Sequence, residues 1–125
     1  MTTPSTPRDI AVAFTQAWAH QDFDRTASFL ADDVEFTGPA GHLTGKQAYM
    51  TGLSAFAADV TSVEFICALG DDEQATLFYD ATTSSHGTNT FAERLVIRDG
   101  KVVSDRLIFD TNPAHAAGSP SQSGQ

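Results

Sequence analysis

The chain reads as a single α+β domain in which three helices lead and a long antiparallel sheet follows. Three observations carry this reading. Apolar residues recur mainly at helical spacing as far as Ala57 and at strand spacing from Val63 onward, which separates α+β order from alternating βαβ units. Residues 88–110 (TNTFAERLVIRDGKVVSDRLIFD) join two apolar-rich runs through Asp99-Gly100, a dipeptide suited to a tight hairpin turn. A chain of 125 residues with 41% apolar content and nine Phe fills one hydrophobic core.

Thr6-Pro7-Arg8-Asp9 opens the first helix, with a Thr cap, Pro at the first helical position and an early acid. Ile10, Phe14, Ala17 and Trp18 form its apolar stripe. A short second helix starts at Asp22 and carries Phe23, Ala27 and Leu30 on one face. Val34-Glu35-Phe36 reads as a short strand, ended by the turn cluster Gly38-Pro39-Ala40-Gly41. Thr44-Gly45-Lys46-Gln47 offers a capping box for a third helix, whose stripe is Tyr49, Leu53, Phe56 and Ala57. Residues 63–69, 75–83, 91–98 and 101–109 then read as four long strands, giving a sheet of four or five. Residues 1–6 form a flexible lead. The tail 112–125 is small, polar and aperiodic, and is expected to be disordered.

Seven Lys and Arg against sixteen Asp and Glu give a net charge of −9, which repels phosphate backbones and anionic membranes. No nucleic-acid partner is expected. No run of eighteen apolar residues and no basic-then-apolar leader occurs, so neither a membrane span nor a signal peptide is expected. The lone Cys67 cannot form an intramolecular disulfide and suits a reducing compartment, so a cytoplasmic location is expected. Alternation of Cys67 with Phe65 and Leu69 reads as buried packing. His20, His42, His86 and His115 show no metal-site spacing, and His86 lies in a turn by composition. Neither a nucleophile elbow nor a phosphate-binding glycine loop is present, so no cofactor is expected.

The order of elements and their punctuation resembles the SnoaL-like branch of the nuclear transport factor 2-like superfamily over residues 7–111. The residues that carry the resemblance are the helix from Phe14 to Trp18, the run Phe29-Leu30-Ala31-Asp32-Asp33-Val34, Gly38-Pro39, Thr44-Gly45-Lys46, and the closing hairpin around Asp99-Gly100. The resemblance implies a curved sheet wrapped around the helices into a cone, a pocket at its open end, and a homodimer formed through the outer sheet face. Relatives include ketosteroid isomerases, limonene epoxide hydrolases and polyketide cyclases, so activity must be argued from the site.

Each of those chemistries lacks a member here. The oxyanion-hole tyrosine of ketosteroid isomerase falls on Phe14 and its base on Gly38, while its protonated acid falls on Glu93. The Arg-x-Asp pair of the epoxide hydrolases falls on Phe78-x-Asp80. The last-strand acid of hydrolases and cyclases falls on Leu107.

A different acidic set remains. If Glu93 faces the pocket, strand alternation places Phe91, Leu95 and Ile97 with it and turns Arg94 and Arg98 outward. Family register implies that Asp105, Leu107 and Phe109 face inward as well, so that Asp80, Glu93 and Asp105 share a wall as candidate catalytic acids. In an apolar pocket such acids would form a general acid/base set. The competing reading of Asp80 is a strand-end acid bonded to Thr82 or a helix N-terminus, and that of Glu93 is an ion pair across the sheet. Asp110 reads as a structural strand end. Phe14, Trp18, Tyr49 and Phe56 are core residues and candidate pocket-lining residues, together with Leu107 and Phe109. The function expected is a pocket for a small, mostly apolar ligand or substrate, with carboxylate catalysis of isomerase, cyclase or hydrolase type. The alternative is a non-catalytic ligand-binding or dimerisation domain.

Overall fold

Helix α1 (Pro7–Ala19) begins where its capping residues place it. The Asp9 amide donates to the Thr6 hydroxyl at 3.1 Å, and Pro7 takes the first turn, where no partner is needed for its missing N–H. Thr6→Ala is expected to lower the unfolding free energy in urea by about 1 kcal/mol. The computed structural model describes residues 4–110. The expectations for the first three residues and for the tail 112–125 lie outside that range. Helix α2 (Phe23–Ser28) is capped by Asp22, which accepts from the Arg25 amide at 3.2 Å.

Leu30, expected on the second helix, instead opens strand β1 (Leu30–Gly38), where it is buried. Strand β2 (Gly41–Thr44) folds back on β1, pairing Gly38 with Gly41 and Glu35 with Thr44. The expected Thr44 capping box does not form, because Thr44 belongs to β2. Helix α3 (Lys46–Asp59) is capped by Gly45, whose φ of 94° is one that a side-chain-bearing residue rarely adopts. Strands β3 (Val60–Gly70), β4 (Gln74–Thr83), β5 (Gly87–Arg98) and β6 (Lys101–Phe109) complete the domain.

The six strands form one sheet in the order β2-β1-β6-β5-β4-β3. This corrects the expected four or five strands: β2 hides in a Gly- and Pro-punctuated stretch that reads as turn. It also corrects the expected all-antiparallel pairing, since β1 runs parallel to β6, with Leu30 opposite Val102 and Phe36 opposite Asp105. Asp99 and Gly100, at φ 54° and 76°, supply the two left-handed residues of the β5–β6 turn.

The sheet is curved and unclosed. Register shifts in β1, in β3 and between β5 and β6 supply the bends, since an extra residue in one strand bends it and increases its twist. α1 lies on the inner face against β3 and β4, and α3 lies against β1. Ile10, Phe14 and Trp18 pack there with Leu77, Tyr79, Leu95 and Val102. The β3 shift between Phe65 and Cys67 also reverses that strand's parity. Cys67 therefore pairs with Phe78 on the outer face, half-buried, and Leu69 is exposed, contrary to the expected buried alternation. Among the described residues, no helix is long and apolar enough to cross a membrane.

Candidate functional site

Strand alternation brings the polar groups of the site into the core. On β5, Phe91, Glu93, Leu95 and Ile97 point inward and are buried. On β6, Leu107 stands opposite Glu93, and Asp105 opposite Leu95. On β4 the inward residues are Leu77, Tyr79 and Ala81, with Leu77 opposite Glu93. Tyr49 reaches the same place from α3. Glu93 is 5% exposed and Asp105 1%.

Two tyrosines and two acids are thereby linked. The Tyr79 hydroxyl donates to Glu93 Oε1 at 2.9 Å, and the Tyr49 hydroxyl donates to Asp105 Oδ2. Asp105 Oδ1 is buried and receives no hydrogen bond, and the Glu93 carboxyl lies within hydrogen-bonding reach of Asp105. Two carboxylates are acceptors only, so their contact requires one proton between them. Burial holds Asp105 well above the usual carboxylate range, and the negative charge of Glu93 and the hydrogen bond between the two acids push the same way. The Tyr49 hydrogen bond opposes them. On balance these effects favour the protonated form of Asp105, which can donate towards Glu93. Burial, then the nearby acids, raise both tyrosines well above their ordinary values, so each remains a hydroxyl donor.

Glu93 lines a cavity of about 160 Å³. The rings of Trp18, Phe36, Tyr49, Phe56 and Tyr79 form most of its wall, and Leu43, Gly52, Leu53 and Leu107 complete it. Trp18 packs 5.7 Å from Phe56 and 6.1 Å from Tyr79, and Phe36 lies 5.1 Å from Tyr49. Asp105 is not part of this wall; it sits behind Glu93 as its hydrogen-bonding neighbour.

Of the residues singled out in the sequence, Trp18, Tyr49, Phe56, Leu107 and Glu93 line the cavity. Besides Asp105, three take other places. Phe14 is fully buried in the core, edge-on to Tyr49 with ring centres 6.2 Å apart. Phe109 borders a second cavity of about 320 Å³ with Phe91, His86, Asn89 and Asp110, which meets the first at Phe56. Asp80 lies on the outer face, where Thr90 Oγ1 donates to it at 2.6 Å, so the structure does not bring it to Glu93 and Asp105. The strand's own parity signals this, because Thr76, Phe78, Asp80 and Thr82 share one phase. The same parity singles out Tyr79, which the sequence analysis missed. Among the described residues, no three His, Cys, Asp or Glu side chains are placed to hold a metal ion.

A family profile for the SnoaL-like domain matches residues 11–105. The chain belongs to the SnoaL-like family. Among solved structures, a Kribbella flavida protein shares 30% identity with this SnoaL-like domain, over 91% of this chain and 94% of its own, with a TM-score of 0.85. An M. tuberculosis LEH-like epoxide hydrolase has the same fold at 18% identity, covering 83% of this chain and 82% of its own, with a TM-score of 0.72. So does a Catenulispora acidiphila protein with a ketosteroid isomerase-like fold, solved in complex with trimethylamine, at 18% identity over 97% and 100% of the two chains and a TM-score of 0.73. A search of curated proteins finds no match.

Proposed function

We propose that this SnoaL-like domain binds a small, mostly apolar molecule in the aromatic cavity and moves a proton on it through Glu93, backed by Asp105. The observation that supports this reading is a buried acid, Glu93, in an otherwise apolar cavity wall, with the buried Asp105 behind it. An acid held well above its ordinary pKa next to a cavity, as Asp105 is, is a recurrent mark of acid/base sites. Glu93 would accept a proton from the bound molecule while Tyr79 and the Asp105 proton hold its orientation. It would then return that proton to a neighbouring atom, as an isomerisation or cyclisation requires. Ligand binding without turnover would use the same cavity. Glu93→Gln separates the two readings, because catalysis predicts binding retained with turnover lost.

The cavity's size limits the ligand. An apolar protein cavity of about 150 Å³ holds benzene, and drug-sized ligands occupy about 300–1,000 Å³. A monocyclic guest therefore matches a cavity of about 160 Å³, and a tetracyclic steroid exceeds it. Trimethylamine, the molecule held by the Catenulispora protein, is small enough to enter. Toluene and phenol are expected to raise the melting temperature, and steroids to leave it unchanged. Leu107→Trp, which fills the cavity from the strand opposite Glu93, should abolish the shift. A steroid shift as large as that of toluene would contradict this assignment.

A homodimer through the outer sheet face is the second proposal, favoured by one row of apolar residues. Phe78, Ala92 and Ile108 are cross-strand neighbours there, with Phe78 41% and Ile108 62% exposed. Large exposed apolar side chains in one patch mark association surfaces. Light scattering should give a dimer mass for the wild type and a monomer for Ile108→Lys, with the toluene response retained.

A further inference from the structure

We infer that the preferred ligand of the cavity is a small organic cation, an alkylammonium held by the Glu93 carboxylate inside a box of aromatic rings. The inference rests on the cavity being a ligand site, as proposed above, and adds the ligand's charge. Glu93 is 95% buried by its 5% exposure, and it forms part of the cavity wall. Its carboxyl accepts from Tyr79 and is the acidic group that the cavity wall offers a guest. The ion pairs Arg8–Asp9 and His42–Glu35 lie at the surface, and neither touches Glu93 or Asp105. Arg94 turns away to Gln74 at 2.6 Å on the outer face, and Arg106 is exposed. Among the described residues, no ion pair reaches Glu93 or Asp105, so the core holds an acid pair without a side-chain cation against it. A carboxylate there is strongly disfavoured unless something of opposite sign reaches it.

The donor inventory points the same way. Both tyrosine hydroxyls already donate, Tyr79 to Glu93 and Tyr49 to Asp105. Neither tyrosine hydroxyl is left to donate to a guest, and Glu93 offers it an acceptor, which suits a ligand that donates or carries positive charge. Around it stand Trp18, Phe36, Tyr49, Phe56 and Tyr79, whose ring faces attract cations. The net charge of −9 adds long-range attraction for a cation. An anionic guest meets repulsion at every one of these points. A neutral guest gains the apolar contacts and leaves the Glu93 charge unneutralised.

Isothermal titration of the full chain at physiological salt with choline and with 3,3-dimethylbutan-1-ol tests this, because the alcohol places carbon where choline has its charged nitrogen. Choline is expected to bind about tenfold tighter or more. Glu93→Gln, whose amide oxygen still accepts from Tyr79, should remove most of that preference while keeping alcohol binding. Phe36→Leu, which leaves both acids in place, should reduce the preference several-fold and serves if Glu93→Gln does not fold. Equal or tighter binding of the alcohol by the wild type would overturn the cation inference and leave the apolar-ligand reading standing. A choline preference that survives both variants would overturn it too, by removing Glu93 and the ring box as its source. If choline, the alcohol and toluene all fail to bind, the ligand-site reading itself falls.

Discussion

Asp105→Ala is expected to cost roughly 3–5 kcal/mol of stability, while Asp105→Asn stays within about 1 kcal/mol of wild type below the ordinary carboxylate pKa. The difference lies in what each leaves behind. Alanine strands the Tyr49 hydroxyl and the Glu93 carboxylate in the core without partners and opens a void. Asparagine reproduces the protonated acid: its carbonyl accepts from Tyr49 and its amide donates to Glu93. The pH profiles separate the two states further. Burial and Glu93 raise Asp105 above its unfolded value, so the folded state binds this proton more tightly than the unfolded state. Its contribution to stability is whole below the ordinary carboxylate pKa of about 3.9 and is lost as pH climbs through the raised folded value. Within that window the wild type should lose stability relative to Asp105→Asn by on the order of 1 kcal/mol per pH unit. Urea unfolding of both proteins across the acid-to-alkaline range measures it, and a pH-independent difference would contradict the shared proton.

Trp18→Ala is expected to destabilise the domain by about 3–5 kcal/mol and to change which ligands it accepts. Trp18 is 2% exposed and is both a core residue and a cavity wall, packed on Phe56 and Tyr79. Removing its indole joins the volume lost from the core to the cavity. If the variant still folds, naphthalene should then raise its melting temperature more than toluene does, the reverse of the wild-type order. Trp18 is the chain's one tryptophan, so its fluorescence also reports ligand entry into the wild-type cavity. An unchanged ligand order would show that the indole does not bound the binding space.

Strand parity made much of the site legible. The Phe91-x-Glu93-x-Leu95 alternation predicts an inward Glu93, and the Asp99-Gly100 turn sets the hairpin that faces Leu107 towards it. Helical spacing likewise put Trp18, Tyr49 and Phe56 on faces that meet the sheet. Two things escaped. β2 is four residues long and begins at a glycine, so its pairing with β1 is a tertiary fact without a local apolar signature. On β4, counting from the family's Arg-x-Asp pair landed one residue away from the inward phase, because a one-residue slip moves every side chain to the other face. Asp80 was thereby drawn into the site and Tyr79 left out. The bulge at Ile66 is equally silent in the sequence, and it moved Cys67 and Leu69 off the core side.

The shared proton between Glu93 and Asp105 is the central claim, and the side-chain carboxyl carbon resonance of Asp105, followed by NMR from acid to alkaline pH, tests it most directly. The resonance should keep the position of a protonated acid through the range where surface aspartates titrate, and Glu93→Gln should shift its titration to lower pH. An Asp105 resonance that titrates with the surface aspartates, unmoved by Glu93→Gln, would contradict the account.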